Sequence, residues 1–240
     1  MASRVMKIVL APRAAFGRTR PLMIGGYGAL GLLLVGVLWF AIAQPVQVLP
    51  LMGQAPAFTL TDEHGAWLGV EELGGRVLLV SFGYARCGAA CEPVHRRLGE
   101  VRGALAEAGL AGDGVVILTI SVDPADTPDV LRAYAAELGA GDDTWRLLTG
   151  APQEVKEIVG RGFSVYYGAR QPGEAGPPIE LDQRVVLVDG TGEIRAAYTP
   201  DRFEPWRVLR DVELVRREAS STGWRRPIYD MAHLFVCYPE

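Results

Sequence analysis

Cysteine and histidine are scarce in this sequence, with three of each among 240 residues. Small disulfide-rich scaffolds need a much higher cysteine content, so the chain is not one of them. Any thiol chemistry, and any metal site built on sulfur or imidazole ligands, must therefore depend on very few side chains. These are Cys87, Cys91, Cys237, His64, His95 and His233.

Acidic residues are absent from the first 43 positions, and no lysine or arginine occurs between residues 44 and 75. All 28 acidic residues and 19 of the 24 basic ones therefore follow residue 43. This acidic remainder offers no basic patch of the kind that binds nucleic acid. Nucleic acid is thus excluded as a predicted partner.

Charge of either sign is missing from the 23 residues 21–43. As a helix this run would be about 34 Å long, which is enough to cross a bilayer. Basic residues precede the run, so residues 1–20 are predicted to be cytoplasmic. A small-x-small sequence at its end leaves a cleaved signal peptide as the alternative, but the length of the run favours an uncleaved anchor. We expect a single-pass protein of the inner (cytoplasmic) membrane with its soluble domain on the periplasmic side.

Beyond this run, apolar β-branched segments alternate with segments of helical periodicity, which predicts a sheet with a parallel core covered on both faces. The predicted strands are Val77–Phe82, Val115–Val122 and Arg184–Val188. The predicted helices are Pro93–Ala108, Thr127–Leu138, Ala151–Val159 and Glu204–Arg217. Thr127 before a proline is a good helix cap, and Gly139 is a plausible stop. Residues 168–178 are too rich in glycine and proline for a regular element, and they predict a loop.

Cys87 and Cys91 lie where a predicted buried strand passes through a glycine-containing turn into a helix. Backbone N–H groups and the helix dipole favour a thiolate there, and Arg86 adds a cation. The spacing places both sulfurs on one face, where they could form a disulfide or bind one metal ion. The structural alternative is two small core cysteines. We expect the sulfurs to be close together at the strand–helix junction and not buried in the core.

Four stretches of the sequence carry a likeness to a known family. They are Gln54-Ala-Pro-Ala-Phe-Thr-Leu60, Phe82-Gly-Tyr-Ala-Arg-Cys-x-x-x-Cys91, Thr119-Ile-Ser-Val-Asp-Pro124 with Asp126-Thr-Pro128, and Trp145-Arg-Leu-Leu-Thr-Gly150. Over about residues 54–215 the chain resembles the Sco/SenC family of membrane-anchored copper-delivery proteins. The resemblance implies an α/β, thioredoxin-like fold of the peroxiredoxin/Sco type, and a role in cytochrome c oxidase assembly.

Together with the uncharged run, the resemblance divides the chain into five parts. They are a basic cytoplasmic N-terminus (1–20), a transmembrane anchor (21–43), a proline-containing linker (44–53), the thioredoxin-like domain (54–217) and a C-terminal extension (218–240).

The resemblance implies a copper site made of the two cysteines of this motif and a histidine just before the last core strand. The corresponding residues 180–183 contain no histidine. His95, four residues after Cys91 on the predicted helix, could serve as a third ligand; the alternative is a solvated surface residue. His233 and Cys237 could supplement the site from the C-terminal extension, unless that segment is simply a packed apolar tail.

The remaining polar candidates have structural interpretations. The three carboxylates Asp123, Asp126 and Asp129 could suggest a metal site, but the resemblance implies a structural loop and helix cap here. His64 lies in a segment with the composition of a hairpin turn and is predicted to be a surface residue.

Three functions remain open. In the first, Cys87 and Cys91 bind Cu(I) and pass it to the copper-site subunit of cytochrome c oxidase or to another copper or thiol protein. In the second, Cys87 attacks a partner disulfide and Cys91 resolves the mixed disulfide, which makes the chain a thiol–disulfide oxidoreductase. The third, a peroxidase-like relative of the same fold, ranks last because the paired cysteines do not suit it.

Overall fold

The structure is a computed structural model that describes residues 19–43, 46–112, 114–171 and 176–234. The chain divides into two units, residues 1–45 and residues 46–240. The first unit contains helix α1, Thr19–Ala43. Across the described ranges, none of the helices combines the length and the apolar character that a membrane span requires. The membrane anchor stays a prediction.

The second unit is a mixed α/β domain. Its strands are β1 (Thr59–Asp62), β2 (Trp67–Gly69), β3 (Val77–Gly83), β4 (Val115–Ser121), β5 (Trp145–Thr149), β6 (Tyr167–Ala169), β7 (Ile179–Leu181), β8 (Val185–Val188) and β9 (Ile194–Tyr198). Its helices are α2 (Glu92–Glu107), α3 (Pro128–Leu138), α4 (Pro152–Val155), α5 (Pro205–Ala219) and α6 (Arg226–Leu234). The predicted bounds of β3, β4, β8, α2 and α3 agree with these to within one residue.

Seven strands form the main sheet in the order β2-β1-β5-β4-β3-β8-β9, and β6 pairs with β7 in a separate two-stranded sheet. The three central strands β3, β4 and β5 are parallel, which confirms the predicted parallel core. Gly83 pairs with Ser121, so β3 and β4 end at the same edge, called here the carboxyl edge. Because β8 runs antiparallel to β3, its first residue, Val185, lies near this edge, and Val188 lies toward the opposite one.

Alternate residues of the central strands enter two separate apolar layers. Leu78, Val80 and Phe82 pack into one layer, which also includes residues of the α4 region. Val77 and Leu79 pack into the other, against α2, α3 and α5. The sheet is therefore covered on both faces, as the continuous apolar runs predict.

Local signals explain how α3 begins and ends. The Thr127 hydroxyl accepts a hydrogen bond from the Val130 N–H, and Gly139 adopts a left-handed conformation with φ 67°. The predicted cap and stop are both confirmed.

Two predicted elements differ from the structure. The helix predicted at 151–159 is α-helical only as far as Val155, and it continues as a π-helix over Lys156–Gly162. Here Gly162 lies directly against the ring of Pro56, an approach that a Cβ atom would prevent. The loop predicted at 168–178 includes the end of β6, because Tyr167 pairs with Leu181 across the two-stranded sheet.

Candidate thiol site

The two cysteines of the motif lie at the carboxyl edge of the sheet. β3 ends at Gly83, a short 3₁₀-helical segment spans Ala85–Ala90, and α2 begins at Glu92. This segment lies beside the end of β4, since Gly83 pairs with Ser121. The predicted placement at a strand–helix junction is confirmed.

Each cysteine closes a turn through its own backbone N–H. Cys87 donates to the carbonyl of Tyr84, and Cys91 donates to the carbonyl of Gly88, both at 3.1 Å. Gly88, between the two turns, has φ 56° and ψ −137°, a conformation that residues with a side chain rarely adopt. The two turns bring the cysteine Cα atoms to 5.6 Å, and the sulfurs are joined in a disulfide. The predicted proximity of the two sulfurs is confirmed.

The disulfide is not open to solvent. Cys87 is 4% exposed and Cys91 is 1% exposed, and both pack with Phe82 and Tyr84 in one apolar layer. The expectation of unburied sulfurs is therefore wrong for this oxidised pair. The reason is that the segment 84–91 turns its cysteines toward the sheet and leaves Gly88, Ala89 and Ala90 exposed.

The side chain of Gln183 lies over the disulfide. Its amide nitrogen is 2.7 Å from the carbonyl oxygen of Ala90, 3.2 Å from the Cys91 sulfur and 3.9 Å from the Cys87 sulfur. The Ala90 carbonyl can only accept a hydrogen bond, so it orients the amide with its nitrogen toward the pair. One amide hydrogen can therefore bond to Ala90 while the other points to sulfur.

Two buried carboxylates hold the start of the cysteine segment. Asp126 accepts hydrogen bonds from the Ala85 N–H at 2.8 Å and from the Ser121 hydroxyl at 2.6 Å. Asp123 pairs with Arg86 at 2.6 Å, and this hydrogen bond raises the pKa of the arginine. Arg86 thus serves as an anchor, and its charge is balanced by Asp123 instead of being free to act on the thiols.

Comparison with known proteins agrees with this architecture. The profile of the family described as SCO1/SenC matches residues 52–215. The chain belongs to the SCO1/SenC family. A SCO1 protein homolog from Bacillus subtilis is 30% identical over 116 residues, covering 48% of this chain and 58% of the homolog. The match thus spans less than three fifths of the length of that relative.

Solved Sco structures show the same fold. The structure of Bradyrhizobium japonicum ScoI with copper bound superposes with a TM-score of 0.57 at 24% identity, covering 68% of this chain and 99% of that one. BsSco, described as a member of the Sco family of cytochrome c oxidase assembly proteins with a disulfide switch, gives a TM-score of 0.60 at 24% identity, covering 70% and 98%. The domain therefore has the mixed α/β, thioredoxin-like Sco fold, and the resemblance inferred from sequence is confirmed.

In this SCO1/SenC chain, the segment 180–183 does reach the cysteine pair, but it presents Gln183 where the resemblance implies a histidine. Tyr84 helps to place the segment: its hydroxyl donates to the Ile179 carbonyl at 2.8 Å and accepts from the Ile179 N–H at 3.2 Å. Burial raises the pKa of Tyr84, which keeps this hydroxyl protonated. The sequence offered no local signal for either contact, because both join residues more than 90 positions apart.

His95 lies on the buried face of α2. It is buried, its Nδ1 lies 2.9 Å from the Tyr134 hydroxyl, and its Nε2 faces Gly83 without a hydrogen-bond partner. Burial lowers the pKa of His95 to about 4 and raises that of Tyr134 to about 12. Among the described residues, no group of three His, Cys, Asp or Glu side chains is arranged to hold a metal ion. The surface alternative for His95 is therefore wrong, because the side chain is buried. The third-ligand role stays a prediction, and the contacts of His95 with Tyr134 and Gly83 do not add support to it.

The remaining candidates lie away from the pair or outside the described residues. His64 is exposed on the β1–β2 turn, as predicted. Asp129 pairs with Arg132 on the surface of α3, so the three carboxylates do not form one site, and the structural interpretation of this segment is confirmed. His233 is 2.9 Å from Glu218 of α5. Cys237 lies outside the described residues.

Proposed function

We propose that this SCO1/SenC protein binds Cu(I) through the thiolates of Cys87 and Cys91 and delivers it during cytochrome c oxidase assembly. The observation that carries the proposal is the position of the pair, which the fold brings together at the carboxyl edge beneath the side chain of Gln183. Support comes from B. japonicum ScoI, solved with copper bound, and from BsSco, described as an oxidase assembly protein.

The donor set suits Cu(I). Two thiolate sulfurs are soft ligands that hold Cu(I), whereas Cu(II) prefers imidazole nitrogen and a tetragonal geometry. Gln183 can offer only a carboxamide, which is not a soft ligand. Since the sulfurs are joined in a disulfide, two electrons must reduce the pair before it can bind the ion.

The test is a competition titration of the reduced full-length protein with Cu(I) and a chelator. Cys87→Ser and Cys91→Ser should each abolish tight binding, because a single thiolate cannot replace the pair. Cys237→Ser is the matched control and should bind as the wild type does. Tight binding retained by Cys87→Ser, or lost in Cys237→Ser, would contradict the two-thiolate site.

We also propose that residues 21–43 anchor the protein in the inner membrane, with the domain on the periplasmic side. The support is the uncharged run and the basic residues before it. The partner would then be the copper-site subunit of the oxidase or another exported copper or thiol protein. Carbonate extraction and protease treatment of spheroplasts test the placement: the chain should stay with the membrane and the domain should be digested. A carbonate-soluble or protected domain would contradict it.

One observation favours a second function, thiol–disulfide exchange with a partner protein. Gln183 contacts both sulfurs where the family resemblance implies an imidazole ligand, so the site has the paired cysteines without the complete ligand set. Measuring the reduction potential of the pair beside its Cu(I) affinity distinguishes the two functions. A pair that exchanges readily with thiols and binds Cu(I) only weakly would favour the oxidoreductase.

A further inference from the structure

Gln183 does not contact the two sulfurs equally. Its amide nitrogen is 3.2 Å from the Cys91 sulfur but 3.9 Å from the Cys87 sulfur. The bond to the Ala90 carbonyl at 2.7 Å holds the amide in this position, and the Tyr84–Ile179 hydrogen bonds anchor the strand that precedes it. An oriented N–H donor is therefore placed beside one sulfur of the pair.

This asymmetry matters when a disulfide is opened. A thiolate attacks one sulfur and the other sulfur leaves with the bonding electron pair, so negative charge develops on the leaving sulfur. A donor that already points at that sulfur stabilises the charge without reorganisation. Charge-assisted hydrogen bonds of this kind are stronger than neutral ones.

We propose that Gln183 is a catalytic residue of thiol–disulfide exchange, directing an incoming thiolate to Cys87 by stabilising Cys91 as the leaving thiolate. In the first step a partner thiolate forms a bond to the Cys87 sulfur, the Cys87–Cys91 bond breaks, and its electron pair goes to Cys91. In the second step a second thiolate of the same partner displaces Cys87. The partner dithiol is oxidised to a disulfide by two electrons, and this pair is reduced by two.

The inference rests on the proposed function, because both require a cysteine pair whose disulfide can be reduced. It goes further in assigning a role to a residue outside the motif and an order to the two sulfurs.

The test uses the oxidised full-length protein with glutathione as the attacking monothiol. The rate constant for opening the disulfide is followed by quenched-flow alkylation, and the mixed disulfide is located by tandem mass spectrometry. The wild type should carry glutathione mainly on Cys87. In Gln183→Leu, which keeps the size but removes the donor, opening should slow by about tenfold and the preference for Cys87 should fall.

Two further variants extend the test. Gln183→Glu should slow the reaction more than Gln183→Leu, since a carboxylate repels the leaving thiolate. Gln153→Leu, an exposed glutamine on α4, is the matched control and should react as the wild type does.

The location of glutathione is the decisive readout, because a side chain that only packs over the pair would not alter it. A faster reaction in Gln183→Leu would show that Gln183 protects the disulfide from attack. An unchanged rate and an unchanged location of glutathione would show that Gln183 does not affect the exchange. Either result overturns the inference, and neither contradicts the proposed function. A wild-type disulfide that does not open with glutathione or with a dithiol would contradict the exchange function itself.

Discussion

At the scale of single residues, the proposed preference of the pair for Cu(I) depends on Gln183. Its carboxamide lies beside the sulfurs, where the family resemblance implies a third copper ligand. It supplies neither imidazole nitrogen nor sulfur. We predict that Gln183→His raises Cu(II) affinity by about 10- to 100-fold, and Cu(I) affinity much less, because Cu(I) needs only the two thiolates. Competition titrations and the spin-resonance spectrum of the Cu(II) form measure both effects.

A matched control for this change is Gln153→His, which adds a histidine to the exposed surface of α4. It should leave both affinities unchanged. If the wild type already binds Cu(II) tightly with nitrogen coordination, a histidine of the native chain must serve as the ligand, and the two-thiolate site would be wrong.

His95 makes a second prediction at this scale. Burial lowers its folded-state pKa to about 4, below its unfolded value of about 6.5. The unfolded chain therefore binds more protons as the pH falls, and stability is lost through this window. We expect His95 to contribute a loss of about 2 kcal/mol in the free energy of unfolding between about pH 7 and about pH 5.

Chemical denaturation at several pH values measures this contribution. His95→Gln should have a flatter pH profile over the same range. An equally steep profile in His95→Gln would assign the acid sensitivity to other groups.

At the scale of elements, the cysteine segment consists of two short turns joined at Gly88. Its φ of 56° and ψ of −137° disfavour any residue with a Cβ atom, although no neighbouring atom would collide with one. We predict that Gly88→Ala lowers the free energy of unfolding of the oxidised protein by about 1–2 kcal/mol through backbone strain alone. Gly99→Ala, in open space within α2, is the control and should stabilise by up to about 1 kcal/mol. Equal effects would contradict the two-turn description.

The elements around this segment were largely predictable from the sequence. β3, β4 and α3 have local causes, namely continuous apolar runs, a threonine cap and a glycine stop, and so they are predicted to within a residue. The cover over the disulfide was not predictable, because Gln183 reaches Cys91 through a contact 92 positions away in sequence. For the same reason the sequence predicts that His95 lies on a helix, but it does not predict that His95 is buried against Tyr134, which is 39 positions away.

At the scale of the whole domain, the thiol site and a buried charge network around Arg195 lie at opposite ends of β8. Gln183 precedes that strand, while Asp189 follows it. Arg195 bonds to Asp189 at 2.8 Å and to Glu218 at 2.6 Å, and its side chain is only 3% exposed. Burial alone would raise the pKa of Asp189, but hydrogen bonds from Thr191 and Arg195 hold it below its usual value. The carboxylate is therefore charged and depends on these donors.

This separation predicts that stability and thiol chemistry can be changed independently. Arg195→Met removes the cation but keeps much of the volume, leaving Asp189 charged and buried, and it should lower the free energy of unfolding by about 3–5 kcal/mol. Arg161→Met, from an exposed pair with Glu157, should change it by less than about 1 kcal/mol. Below the unfolding transition, Arg195→Met should open its disulfide with glutathione at the wild-type rate, because its contacts lie at the far end of the strand. A slower or redirected reaction in the folded variant would mean that the two ends of the sheet are coupled.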